Sequence, residues 1–473
     1  RDELNGGALK AIAVLPFLQL SSRQEHTYFS DGLTEDIIAR LAKLGDLRVV
    51  SRTSVMRYKH TTKPVGQVAR ELGVDAVLEG SVRSDGSRVR ITAQLVEAAG
   101  DAPLWSGRYD RELTDLFAIQ SEVAQRIAEV LRARVSSVER ARLDRVPTAN
   151  LDAYHACLKG RYFWNKRAPA ALRKAVAFFE EAIALDPDYA QAHAGMADAY
   201  AILGWFDFEP GAAMFPRAIA AAQRALAIDE GLAEAHTSLA YARMNGDWDW
   251  AGARAGFERA LALDPHYATA HHWHGEWLSL QGRSAAAVDA LARALALDPL
   301  SLVVNTVLAW KLCFAGRSDE ALAQCRKALE LDPRFGPAHT VLGLVREQQG
   351  RYDEAVAEFE AEMAISGENA PNLAGLGHAQ ALAGRRAAAR DVLARLDRMG
   401  QGRVALDFHR ATVLVGLGEL DAAFDCLARA LAHRVWVLPY VTVAPRFAAL
   451  RNDARLNELA RGMGLVLKEV NTA

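Results

Sequence analysis

Histidines are the residues whose type and spacing most invite a chemical reading. His193, His236, His271 and His339 each stand seven residues after an acidic residue, and His272 and His274 sit beside one of them. Neutral imidazole is a common metal ligand, so a cluster would suggest a metal site. Copies one structural repeat apart cannot share an ion, however, and His271 with His274 (i, i+3) lacks a clear third ligand. The expectation is packing, with no metal site. No carboxylate pair is marked by an apolar surround, as glycoside hydrolysis would need. Gly-x-Ser-x-Gly, His-Glu-x-x-His, a phosphate loop and Gly-x-Gly-x-x-Gly after a strand are all missing from the sequence. No catalytic residue and no cofactor are therefore assigned. If an unrecognised enzyme site exists, its polar candidates are Asp31, Thr34, Glu35, Arg52 and Glu79.

Charge and composition narrow the partners. The 473 residues carry Lys+Arg 56 against Asp+Glu 58, a net charge of −2. That balance argues against a dedicated nucleic-acid or anionic-membrane surface. Arg132, Arg134, Arg140, Arg142 and Arg145 cluster, but Glu139 and Asp144 interrupt them without interleaved aromatics, which reads as a solvated helix end. Hydrophobic residues at 51% and charged residues at 24% fit a folded globular chain. No run of 18 apolar residues spans a bilayer, and no leader is recognised. Because the chain begins at Arg1, it is expected to be processed or part of something longer. Cys157, Cys313, Cys325 and Cys426 are far apart and read as buried hydrophobes, not a disulfide framework.

The elements that must position any site come from an internal repeat. Leu-Asp-Pro ends helical stretches at Leu185-Asp186-Pro187, Leu263-Asp264-Pro265, Leu297-Asp298-Pro299 and Leu331-Asp332-Pro333, with degenerate copies at Ile228-Asp229-Glu230 and Ile365-Ser366-Gly367. Successive Asp (or Ser366) positions are 43, 35, 34, 34 and 34 residues apart. Within the unit 268 to 301, Gly275 marks a close helix approach, Gly282-Arg283 the turn, Ala287 and Leu291 the small and large residues of the second helix, and Pro299 its end. A 34-residue helix pair with this grammar is the tetratricopeptide repeat (TPR). About eight pairs are expected over residues 147 to 433, with a helical cap over 434 to 473. Nine extra residues in the second pair fall near Trp205 to Pro210. Trp205, Phe206, Phe208, Trp248 and Trp250 form a second aromatic candidate, read as filler between repeats in preference to a binding surface.

Residues 8 to 146 follow other rules. Lys10 to Phe17 and Arg48 to Val50 read as strands, as do Ala76 to Arg83, Arg88 to Glu97 and Leu104 to Arg111. Ser84-Asp85-Gly86-Ser87 reads as a hairpin turn, not a calcium loop. Helices are expected from Ser30 or Asp31 (as cap) to about Leu44, from Pro64 to Leu72, and from Thr114 to about Val135. Strands and helices mix without strict alternation, so the fold class is an α+β amino-terminal domain followed by an all-α TPR solenoid, mostly α overall.

Tyr28-Phe29-Ser30-Asp31-Gly32-Leu33-Thr34-Glu35-Asp36, Ser51-Arg52-Thr53-Ser54, Leu78 to Arg83 and Leu104 to Arg111 resemble the TolB-like amino-terminal domain that precedes TPRs in bacterial signalling proteins. Trp248-Asp249-Trp250, Ala270 to His274, Leu297 to Leu302 and Pro445-Arg446-Phe447 with Leu450-Arg451 extend the resemblance to about residues 10 to 467. It implies the sensing and interaction half of a bacterial regulator without its winged-helix, kinase or cyclase effector, cytoplasmic or on the extracytoplasmic face of the inner membrane. It also implies that the second, fifth, ninth and twelfth places of each first helix face a groove: Thr269, His272, Glu276 and Ser279; Val303, Thr306, Trp310 and Cys313; Pro337, Thr340, Leu344 and Glu347. The reading is a non-enzymatic module binding a protein or peptide there, with an exposed Trp310 suited to an apolar or extended segment. The alternatives are a constitutive assembly adaptor or the unrecognised enzyme.

Overall fold

A computed structural model describes residues 9–20, 27–44, 47–85, 88–100, 102–112, 115–131, 146–400 and 406–467. The arginine cluster at 132 to 145 and the tip of the 84–87 turn lie outside them. Two compact units emerge: Arg1–Ala240 with Ala255–Ala270 and Ala294–Leu300, and Tyr241–Arg254 with His271–Arg293 and Ser301–Ala473.

The first unit begins with an α+β domain. Its strands are β1 (Ala11–Val14), β2 (Leu18–Gln19), β3 (Arg48–Val49), β4 (Ala76–Asp85), β5 (Arg88–Glu97) and β6 (Pro103–Glu112), in the order β3-β1-β4-β5-β6 with β2 also pairing β4. The first three strands pair in parallel fashion and the last three antiparallel, with Val14 opposite Leu78 and Ile91 opposite Tyr109. Among the described residues, four α-helices accompany them: α1 (Thr27–Ala42), α2 (Arg52–Val55), α3 (Val65–Leu72) and α4 (Leu116–Val130). Leu33, Ile37 and Leu41 of α1 and Ile119, Val123 and Ile127 of α4 are buried in one core with Ile12, Val14 and Val77. Helix α1 starts earlier than its sequence suggests. Ser30 and Asp31 are therefore inside it, not caps, and Asp31 instead pairs with Lys59 at 2.6 Å.

Gly80 shows how tight the sheet is. A Cβ there would collide with the Thr92 carbonyl oxygen across the β4–β5 pair and with the Phe17 ring. Gly80→Ala is expected to lower stability by about 1–3 kcal/mol, read as a lower urea midpoint at unchanged slope.

Eight helix pairs follow among the described residues: 151–164 with 169–185, 190–205 with 211–228, 233–246 with 250–263, 268–280 with 284–297, 302–314 with 318–331, 336–348 with 352–366, 370–382 with 386–399, and 406–417 with 420–432. Turn chemistry explains the motif. Gly282, Gly316, Gly350, Gly384 and Gly418 end first helices with φ of 69° to 79°, a conformation that disfavours a Cβ. The closing aspartate folds back on its own loop: Oδ1 of Asp186, Asp229, Asp264 and Asp332 accepts the N–H two residues on, at 2.9–3.1 Å. Packing explains the small and large residues. Phe179 fills the space beneath Gly160 and Gly195, Phe359 that beneath Gly343 and Gly375, and Leu291 that beneath Gly275.

Candidate functional site

In the second unit, a set of residues brings charge into a buried place. They come from the first helices of successive pairs and from the tail beyond residue 433. The tail forms two short 3-10 turns, Leu438–Thr442 and Pro445–Leu450, then a helix, Ala454–Gly462. Leu438, Tyr440, Val441, Phe447 and Leu450 are buried. Tyr440 stacks on Trp310, ring centroids 5.1 Å apart, and its hydroxyl donates to Glu276 Oε2 at 3.3 Å. His272 reaches Glu276 Oε1 at 3.1 Å. Arg446 donates from Nε to Glu347 Oε2 at 2.6 Å, while His378 Nδ1 lies 3.2 Å from Glu347 Oε1. Phe447 packs on Phe408, centroids 5.3 Å apart.

Lys311 completes the set. It is 1% exposed, and its Nζ lies 3.6 Å from the Trp310 ring centroid, 4.7 Å from Tyr440 and 5.1 Å from Phe314. That Nζ makes no hydrogen bond, and neither does the buried Thr306 Oγ1. Burial pushes the ammonium down to about 8, with the Glu276 carboxylate opposing. Burial pushes Glu276 up, but His272, Lys311 and Tyr440 outweigh it and hold the carboxyl below its ordinary value. Glu347 is treated likewise by Arg446 and His378. Burial and the Arg446 charge push His409 down to about 4. This is an anionic and aromatic surface able to hold a cationic side chain, an aromatic ring and the backbone between them.

The sequence-derived groove residues fall as follows. His272, Glu276, Trp310 and Glu347 are brought to the tail. Trp310 is half-buried under Tyr440, not exposed, because the tail covers it. Thr306 is buried, Leu344 half-buried and Val303 exposed. Thr340 donates to Asn372 Oδ1 at 2.8 Å. Thr269 belongs to the first unit, where it lines a cavity of about 250 Å³ with Lys43, Arg161, Trp164, Glu234 and Tyr267. Lys311, His378, Tyr440 and Arg446 are not among the groove residues read from sequence, and Arg446 enters there only through the resemblance of Pro445-Arg446-Phe447. Lys311 falls between the groove-facing places, and the tail breaks the repeat period. Trp250, read as filler, donates from Nε1 to the Met463 carbonyl at 2.7 Å.

The repeated histidines have a local role. Nε2 of His193 lies 3.0 Å from the Pro187 carbonyl, that of His236 lies 2.9 Å from Glu230, and that of His339 lies 3.4 Å from Pro333. Each ring thus ties a first helix to the loop that precedes it.

Polar groups of the first unit join the α+β domain to its repeats. Ser54 Oγ donates to Asp298 Oδ1 at 2.6 Å and accepts from the Leu300 N–H at 2.8 Å. The Ser51 N–H and Arg48 Nη1 donate to the Leu297 and Ala296 carbonyls, both at 2.8 Å. Of the enzyme candidates, Arg52 pairs with Glu35 at 3.0 Å, Thr34 accepts the Phe17 N–H at 3.1 Å, and Glu79 lines a shallow surface depression.

Asp36 accepts from the Tyr154 hydroxyl and, at 3.0 Å, from Gln120 Nε2. Burial pushes its carboxyl up to about 6 against these bonds. A raised acid pKa stabilises the fold fully below the unfolded pKa, near 4, and that contribution is lost as pH rises through 6. Asp36→Asn keeps both acceptor bonds without the charge. Its stability relative to wild type should therefore rise by on the order of 1–3 kcal/mol between pH 4 and pH 7.5, measured by urea unfolding at each pH.

A family model described as "HilA/YgeH-like transcriptional regulator, second domain" matches residues 8–128. That description differs from the TolB-like domain the same stretch resembles. A curated relative, "Putative adenylate cyclase 3" of Rhizobium meliloti (strain 1021), is 37% identical over 190 residues, 40% of this chain and 32% of that protein. The matched stretch spans about a third of the relative's length. Among solved structures, PilW, a widely conserved type IV pilus biogenesis factor, is 20% identical over 47% of this chain and 98% of its own, at a TM-score of 0.38. Pseudomonas aeruginosa PilF is 22% identical over 48% and 96%, at 0.35. Among the described residues no helix is long and apolar enough to cross a membrane. The 34-residue helix pairs give this chain a TPR-type α-solenoid, and its leading α+β domain is similar to the second domain of HilA/YgeH-like transcriptional regulators.

Proposed function

We propose that the chain is the non-enzymatic recognition part of a bacterial signalling or transcriptional regulator, and that it binds an extended protein segment along the first helices of its later repeats. The observation that carries the reading is the row of buried Glu276, Lys311 and Glu347 with half-buried Trp310, charged and aromatic groups placed where an irregular stretch of backbone already lies. Buried charges stabilise a fold less than apolar residues of the same size, so their presence favours selective recognition. The TolB-like resemblance and the regulator-type match both support an effector elsewhere in the regulator. The hydrogen bonds from Ser51 and Ser54 to residues 297–300 support coupling of repeats to the leading domain. A random peptide library displayed against the immobilised full chain tests the reading. Selected sequences should bind saturably and lose about tenfold or more with Trp310→Ala, a truncation of an interface aromatic, while the circular dichroism spectrum is unchanged. Equal binding to Trp310→Ala would sink the groove assignment.

A further inference from the structure

The tail and a partner would compete for one surface. We propose that the tail is an in-chain occupant of the groove, and that the external partner is an extended segment with an aromatic residue, an arginine six residues later, and an acidic or amide side chain near the aromatic. This deepens the groove reading above and rests on it.

The tail supplies the first two features. Tyr440 is the aromatic, held between Trp310 and Glu276, and Arg446 is the arginine, held by Glu347. Two proline-containing 3-10 turns carry these anchors, so the tail places them without a long regular helix of its own.

The third feature follows from what the tail leaves undone. Lys311 is fully buried, with aromatic rings around its Nζ and no hydrogen bond, and Thr306 Oγ1 is equally without one. Buried donors without acceptors are costly. Glu276 attracts Lys311, but its Oε2 accepts from Tyr440 and its Oε1 lies 3.1 Å from His272 Nε2. A segment bringing one carboxylate or carboxamide near its aromatic ring would satisfy Lys311. The tail does not: its residues from Val435 to Ala444 include no carboxylate or carboxamide, and its two side-chain hydroxyls, of Tyr440 and Thr442, donate to Glu276 and to the Pro439 carbonyl. It is an imperfect occupant, which is what an exchangeable one must be. A tethered segment also meets its site at an effective concentration of roughly millimolar, so a free peptide competes poorly unless it binds better or the tail is weakened.

The test uses the full chain and a fluorescent peptide copying residues 434–451, read by anisotropy. Binding to Tyr440→Ala chain should be about tenfold or more tighter than to wild type, because the tethered competitor is weakened. A peptide with both its tyrosine and its arginine changed to alanine should lose that binding. Placing Asp in turn at the two positions on each side of the peptide's tyrosine should give at least one tighter binder, and Lys311→Met should abolish that gain. If Tyr440→Ala fails to fold, Arg446→Lys, which keeps the charge but loses the Nε donor to Glu347, replaces it. The proposal is overturned if the copy binds no chain, or binds as its doubly substituted version does. It is also overturned if light scattering shows a wild-type dimer that the copy dissociates, since the occupant would then be a second copy's tail. If the copy fails while library peptides still bind through Trp310, the groove reading stands and this inference falls. If no library peptide binds either, both fall.

Discussion

Arg446→Ala should cost about 3–5 kcal/mol, the usual loss when one partner of a buried ion pair is removed. Glu347 explains the size. Its side chain is only 4% exposed, and its two oxygens are held by Arg446 and His378. Without the guanidinium the carboxylate keeps one partner, which is charged only when protonated. The variant should therefore either bind a proton at Glu347 or unfold in less urea. Glu347→Gln added to Arg446→Ala should recover more than half the loss, because the uncompensated charge is gone while the acceptor for His378 remains. A double variant no more stable than Arg446→Ala would mean that the arginine acts through packing alone, such as its position 5.1 Å from the Phe359 ring centroid.

Phe359→Ala should be comparably damaging, at about 3–5 kcal/mol. Phe359 is fully buried and lies beneath two glycines, each of which would put a Cβ 2.6–2.7 Å from its ring. The glycines are there because the ring needs the space, and having no side chains they offer nothing to fill the cavity. Phe359→Leu should recover most of the loss. Thermal unfolding followed by circular dichroism at 222 nm measures both. An alanine variant within 1 kcal/mol of wild type would mean that the helices close over the gap, contrary to the close packing expected of a protein interior. Because Arg446 approaches the same ring, Phe359→Ala and Arg446→Ala should not be additive.

The repeats were legible because their rules are local. Asp186, Asp229, Asp264 and Asp332 recur since each forms the same turn with a neighbour two residues away. Gly275 and Leu291 were readable as a close approach because both lie in one pair. Ser30 and Asp31 were misread as caps. A short polar residue before an apolar stripe resembles an N-terminus, but Asp31 points to Lys59, 28 residues away in sequence. Among the closing aspartates, Asp298 also shows a change of role: it is spaced like the others, yet its Oδ1 takes the hydroxyl of Ser54.

The groove was legible in part. The second, fifth, ninth and twelfth places drew in Glu276, Trp310 and Glu347, which do converge on one segment, and also Thr269 and Val303, which do not. Lys311 was missed because its neighbour Trp310 occupies the groove place, although burial and the surrounding rings give the lysine the more unusual environment.

By itself the sequence determined the α+β leading domain, the helix pairs, their 34-residue spacing, and the glycines and aspartates that turn one helix into the next. These depend on backbone conformation and on neighbours within one pair. Only the tertiary structure decided that the tail lies on Glu276, Trp310 and Glu347, and that Ser54 meets Asp298. Those contacts join residues 164, 99 and 244 positions apart. No periodicity encodes them, because they arise when separate elements compete to bury the same apolar surface and to neutralise the same charges.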